Sequence, residues 1–112
     1  MQSKGSKKIE DILKSAKLDY KKEYSFDDLR SSKGRRLRFD FAVFRYSRLF
    51  CLIEFDGEQH YNINNPRFTY DGVNRDMQKN YYCYTHAIPL IRIKQKDIDN
   101  INSFRDLFKH LI

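Results

Sequence analysis

The period of hydrophobic and polar positions changes several times along the 112 residues of this chain, and each change marks an element. Ile9, Ile12, Leu13 and Ala16 recur at helical spacing, which predicts a first helix with Ser6 as its cap. Glu10 falls in its early turns, where a carboxylate suits the helix dipole and can pair with Lys14 four residues on. From Tyr20 to Phe26 apolar and charged residues mix as in a short edge strand, followed by a loop containing Asp27, Asp28 and Ser31 to Gly34. Leu37, Phe39, Phe41 and Val43 then alternate with Arg38, Asp40, Ala42 and Phe44, a period of two that predicts a strand. Arg45-Tyr46-Ser47-Arg48 reads as a hairpin turn, after which Leu49 to Phe55 returns antiparallel.

Asn62, Asn64, Asn65 and Pro66 make the stretch from Tyr61 to Asp71 a polar loop. A second helix follows from Gly72, with Val73, Met77, Tyr81 and Tyr84 on the side expected to cover the sheet and Arg75, Lys79, Tyr82 and His86 near the other. Ile88 to Ile93 forms a fourth strand, reached through a helix and therefore expected to lie parallel to its neighbour. Ser103 and Asp106 can cap a final helix carrying Phe104, Leu107, Phe108 and Leu111. The expected order is helix, strand, strand, strand, helix, strand, helix. That is an α/β class chain of the α+β mixed-sheet kind, with one domain over residues 1–112 and no internal repeat or linker.

Composition adds a partner. Hydrophobic residues make up 40% of the chain, and eight Tyr and nine Phe supply large surfaces for one core. A formal net charge of +7 favours a polyanion, and for a soluble protein the usual one is nucleic acid. No segment approaches the roughly 20 apolar residues of a membrane span, and Met1 to Ser6 is too polar for a secretory signal. Cys51 and Cys83 fall in regular, core-facing segments rather than at paired loop positions, so a reducing cytoplasm is the expected setting.

The candidate chemistry lies in Cys51-Leu52-Ile53-Glu54-Phe55-Asp56-Gly57-Glu58-Gln59-His60. Along a strand Glu54 and Asp56 project from the same face, and two neighbouring anions call for a cation or a shared proton. The hairpin brings Asp40 towards them, so three carboxylates are expected to converge. Divalent metal held by carboxylates can supply what phosphodiester hydrolysis requires, and Mg²⁺, with Mn²⁺ as its substitute, needs only a few oxygen ligands such as Asp40, Glu54 and Asp56. His60 can move a proton near neutral pH. Arg35, Arg36 and Arg38, around Lys33-Gly34, and Lys79 on the second helix are candidates for holding a DNA backbone. Plainer readings stand beside these. Asp40 could be neutralised by Arg38 or Arg92, His60 could cap a loop, and Arg75, Asp76 and Lys79 could be a solvated helix face. A zinc site of Cys51, Cys83, His60 and His86 matches no compact ligand spacing.

Asp40 in Arg38-Phe39-Asp40-Phe41, followed by the hairpin to Ile53-Glu54-Phe55-Asp56-Gly57-Glu58-Gln59-His60, resembles the PD-(D/E)xK nuclease superfamily. More narrowly it is similar to the branch of very-short-patch-repair endonucleases and phage homing endonucleases. The resemblance runs from Glu10 to Ile93 and implies a restriction-endonuclease-like core and Mg-dependent cleavage of DNA in a phage or bacterial host cell. It implies catalytic roles for Glu10, Asp40, Glu54, Asp56 and His60, and an Arg75-Asp76 pair on the following helix. Arg75 then joins the DNA-binding set, and Gln59 and Asp76 support the site. Gln78 and Tyr82 have the Q-x-x-x-Y spacing of some members. The chain departs from the superfamily at Asp56, which stands where a lysine is usual, so Lys79 or His60 would have to supply that function. Pairing as a homodimer and work as the catalytic part of a longer chain with its own DNA-recognition domain both stay open. So does the alternative of a nucleic-acid-binding domain of the same fold without catalysis.

Overall fold

Ser3, one turn earlier than expected, starts the first helix: its Oγ accepts a hydrogen bond from the Ser6 N–H at 3.1 Å, and α1 spans Lys4–Ser15. The computed structural model describes residues 3–56 and 70–112, so Gln59 and His60 lie outside the described residues. Gly5 sits in the first turn of α1 because the Phe55 ring lies where a Cβ would be. After α1 come β1 (Asp19–Arg30), β2 (Arg36–Arg45), β3 (Arg48–Asp56), α2 (Tyr70–Thr85) and β4 (Leu90–Lys94). A 3₁₀ turn, Gln95–Asn100, leads to α3 (Phe104–Phe108), capped by Ser103 as expected.

The four strands form one mixed sheet in the order β1-β2-β3-β4. The first two pairings are antiparallel, and β3 with β4 is parallel, as the crossover through α2 requires. Tyr46 and Ser47 turn the β2–β3 hairpin with φ of 52° and 64°. Two positive φ values give the hairpin a twist that matches its strands. β1 is longer than expected and takes in Asp27 and Asp28. A register shift between Ser25 and Arg30 lets pairing with β2 continue past these poor strand formers. The far edge is covered, because Arg92 N–H donates to His110 O and Ile112 N–H to Leu90 O. Leu111 therefore bridges to Ile91 instead of extending α3.

Each face of the sheet carries a buried apolar cluster. Ile9, Ile12 and Leu13 of α1, with Ile98, Ile101 and Leu107, pack on Phe41, Val43, Cys51, Ile53, Ile91 and Ile93. Tyr82 and Cys83 of α2 pack with Leu29 on Leu37, Phe39, Ala42, Leu52 and Leu90. Cys51 and Cys83 thus lie in different clusters.

The second cluster corrects two expectations. Leu37, Phe39, Phe41 and Val43 do not share a face: the first two point to α2 and the last two to α1. β1 switches in step, with Tyr20 packed on the α1 side and Tyr24 and Phe26 on the α2 side. The Cα register is the same on either side of the switch, Lys22 opposite Phe41 and Tyr24 opposite Phe39, and between them Glu23 has φ 53°. Both strands change phase together, and in β2 the change falls at Asp40. Secondly, α2 does not cover the sheet with Met77, Tyr81 and Tyr84, which are exposed. It turns Lys79, Tyr82 and Cys83 inward, because the sheet beneath it carries Glu54 and Asp56 as well as apolar side chains.

Candidate active site

The phase change opens β2 away from β3 at one end of the hairpin. Ladder pairing runs from Arg45 opposite Arg48 to Phe41 opposite Ile53, with one register shift between Val43 and Phe44. Beyond it side chains take over: Asp40 Oδ2 accepts the Phe55 N–H at 2.7 Å, and Glu54 Oε1 accepts the Asp40 N–H at 3.2 Å. Each acid satisfies a backbone donor on the other's strand, and both are thereby fixed in position.

Alternation along β3 sends Glu54 and Asp56 to the α2 side, as expected, but they take different partners. Lys79 reaches across from α2 and donates to Glu54 Oε1 at 3.1 Å, with its ammonium 5.4 Å from the centre of the Phe39 ring. The side chains are 12% and 8% exposed, so this ion pair is shielded from water and Lys79 is not at the surface to hold a DNA backbone, a correction to its expected role. Asp56, 1% exposed, is gripped by Arg92 of β4, whose Nη1 lies 3.0 Å and 3.1 Å from the two carboxylate oxygens. Arg92 also donates to Asn80 Oδ1 at 2.8 Å and to the Asp76 carbonyl at 3.1 Å, and its guanidinium is 3.8 Å from the Asp76 carboxylate. Asp56, Arg92, Asp76 and Asn80 thus tie β3, β4 and α2 together.

These surroundings set the charges. Burial, then the neighbouring Asp40 carboxylate, pushes Glu54 up to about 7, with Lys79 and Arg92 pulling the other way. Asp40 is also raised, chiefly by burial, while the Phe55 N–H and Lys79 oppose the shift. For Arg92 burial acts to lower the pKa, yet the anions Asp56 and Asp76 outweigh it and the net shift is upward. Two acids that resist ionising thus stand beside one lysine.

Asp40 Oδ1 and Glu54 Oε2 accept no hydrogen bond from the described residues. Among the described residues no three His, Cys, Asp or Glu side chains gather as a metal-holding group. Of the three expected carboxylates, Asp40 and Glu54 are joined through each other's strands, while Asp56 is held by Arg92 and acts on Asp40 through its charge, helping to raise it. Glu10, on α1, is engaged by side chains of β1. It accepts from Tyr20 Oη at 2.6 Å and lies 3.4 Å from Lys22 Nζ, in place of the expected pair with Lys14. Its bond pushes the Tyr20 hydroxyl up to about 12.

Of the other named residues, Arg36 pairs with Asp27, and Arg38 with Glu23 at 3.1 Å, so Arg38 does not neutralise Asp40. Arg35 and Arg75 are exposed. Gln78 donates to the Arg30 carbonyl at 3.2 Å and Tyr82 to Asp28 Oδ1 at 2.7 Å, so this spaced pair docks α2 on β1. Sequence reading assigned Arg92 only as a counter-ion for Asp40 and passed over Asn80. The signal for Arg92 was there: a lone cation between Ile91 and Ile93 in a strand buried on both faces needs a buried anion.

Compared with known proteins, the chain matches no family model, no curated protein and no solved structure. Among the described residues no helix is long and apolar enough to cross a membrane.

Proposed function

We propose that this chain is a metal-dependent endonuclease domain that hydrolyses DNA phosphodiester bonds on a restriction-endonuclease-like core. The observation that carries the reading is the fixed Asp40–Glu54 pair at the point where two strands part, with Lys79 on Glu54. The order helix, three antiparallel strands, helix and parallel strand supports it, since this is the core that the resemblance implies.

The donor set fits a hard divalent cation. Asp40 and Glu54 each offer one oxygen that accepts no hydrogen bond from the described residues, burial raises both acids, and Mg²⁺ takes a few carboxylates and completes its shell with water. When bound, the metal would acidify a water and offset charge on the phosphate. Lys79 keeps one cation beside Glu54 and, from α2, stands in for the lysine that the resemblance puts at position 56. Asp56 belongs to a different task in this reading: with Arg92 it locks β3 against β4 and holds Glu54 in register. Glu10 enters through the resemblance alone, and His60 keeps the proton-transfer role given to it by the sequence.

Supercoiled plasmid incubated with the protein and Mg²⁺ or Mn²⁺ tests the proposal. Nicking by wild type that disappears on chelation and in Asp40→Asn is the expected result. DNA binding without nicking under any divalent metal would leave a nucleic-acid-binding domain in place of an enzyme.

A further inference from the structure

The basic loop before β2 divides into two kinds of cation. Arg36 and Arg38 are engaged by Asp27 and Glu23, and Arg30 is spent on the Asp27 and Gly34 carbonyls at 2.8 Å each. Lys33 and Arg35 are exposed and make no ion pair with any described residue, and the same is true of Arg75 on α2. Exposed cations with no acid beside them among the described residues are available to a ligand.

Lys33 and Arg75 face a common groove. Ser31, Ser32 and Lys33 line one wall, and Asn74, Arg75 and Gln78 the other. All six side chains can donate hydrogen bonds, and no carboxylate is among them. The loop wall is held in shape from within. Ser31 N–H donates to Arg35 O at 2.8 Å, Gly34 N–H to Ser31 O at 2.9 Å, and Ser31 Oγ accepts from the Lys33 and Arg35 N–H groups. Gly34 takes φ 82°, a conformation that closes the turn and that side chains other than glycine rarely adopt. Gln78 joins the two walls through its bond to the Arg30 carbonyl, so their separation is fixed before any ligand arrives.

We infer that this groove is a backbone-phosphate subsite for nucleic acid, with Lys33 and Arg75 as the paired charges and the serine, asparagine and glutamine side chains as neutral donors. Arg75 presents a planar fork of donors suited to phosphate oxygens, and Lys33 a point charge on a flexible stem. The subsite adjoins the acid pair through α2, where Gln78 lines the groove and the next residue, Lys79, holds Glu54. A strand seated in the groove would carry a neighbouring phosphate towards Asp40 and Glu54. That last step rests on the proposed nuclease function, whereas phosphate binding by the groove does not.

The two parts separate in a binding experiment without metal. Affinity of a labelled DNA duplex is measured in chelator over a range of salt for wild type, Lys33→Ala, Arg75→Ala, the double variant and Lys109→Ala. Lys109 is an exposed cation after α3. Each groove substitution is expected to weaken binding roughly three- to ten-fold and to lower the salt slope by about one, with the double variant losing about two, while Lys109→Ala changes neither. Lys33 and Arg75 are exposed and make no ion pair with any described residue, so thermal melts should superimpose and a folding defect would be visible as a shift. Groove variants that bind like wild type, or a Lys109 variant that weakens binding equally, would overturn the subsite. Loss of binding in the groove variants together with nicking by Asp40→Asn would keep the subsite and sink the catalytic reading.

Discussion

Asp40 and Glu54 hold each other's strands: Asp40 Oδ2 takes the amide next to Glu54, and Glu54 Oε1 takes the amide of Asp40. The exchange predicts that two substitutions at one position behave differently. Asp40→Asn keeps an oxygen for the Phe55 N–H and removes a charge that burial disfavours, so its melting temperature at pH 8 should equal or exceed that of wild type. Asp40→Ala leaves the amide without its partner and should cost about 1–2 kcal/mol in denaturant unfolding. Both should abolish nicking, which separates the chemical role from the structural one.

The raised pKa of Glu54 makes stability and metal affinity depend on pH. From its ordinary 4.5 the group rises to about 7, so the folded state binds this proton more tightly than the unfolded state does. The contribution of Glu54 to metal-free stability should therefore fall as pH rises from about 4.5 to about 7. Mg²⁺ needs the ionised carboxylate, so its affinity should climb over the same range and calorimetry in buffers of different ionisation enthalpy should detect proton release. Glu54→Gln should remove both effects.

Lys79 is the cation closest to that acid, and its loss should be felt as a further upward shift. Carboxyl titration of the Lys79→Met variant by NMR should place Glu54 higher than in wild type, since Lys79 is one of the influences holding it down. Nicking at pH 7 should fall, and part of the loss should return at higher pH, where Glu54 ionises again.

Arg92 carries a stability prediction rather than a catalytic one. Arg92→Met leaves Asp56 buried at 1% exposure without its guanidinium, and should cost about 3–5 kcal/mol. Replacing both charges, Asp56→Leu with Arg92→Met, should recover most of that in urea unfolding.

Gly5 links the helix to the strand that bears the site. Because Phe55 occupies the space of a Cβ there, Gly5→Ala should destabilise the fold by about 1–3 kcal/mol, although alanine is the better helix former. Pairing it with Phe55→Leu should relieve the strain, and the melt of the double variant should show it.

The element order, the hairpin and the parallel fourth strand were legible in the sequence because each rests on local rules: helical spacing, a four-residue turn and a helix between two strands. Glu54 and Asp56 sharing a face was equally local. Three features were not, for a common reason. The phase switch at Glu23 and Asp40, the inward face of α2 and the partner of Asp56 are all decided by the second helix layer, which gives each sheet face its own apolar cluster. With an apolar cluster on each face, alternation alone does not say which apolar residue goes to which side. Met77, Tyr81 and Tyr84 look like a core stripe, yet the buried carboxylates select Lys79 and Tyr82 instead. The hairpin brings Asp40 to Glu54 as its short turn implies, and the lysine beside Glu54 comes from an element 25 residues further on, Lys79 being one of the two residues the sequence offered for that function.

Whether Asp40 and Glu54 together hold a divalent cation, as proposed, is measured directly by anomalous diffraction from crystals soaked in Mn²⁺. A peak shared by Asp40 Oδ1 and Glu54 Oε2 is expected, and it should be absent from Asp40→Asn crystals grown alike. A well-ordered site with no peak between those oxygens, or with Lys79 still on Glu54 and the metal bound only elsewhere, would contradict the proposal.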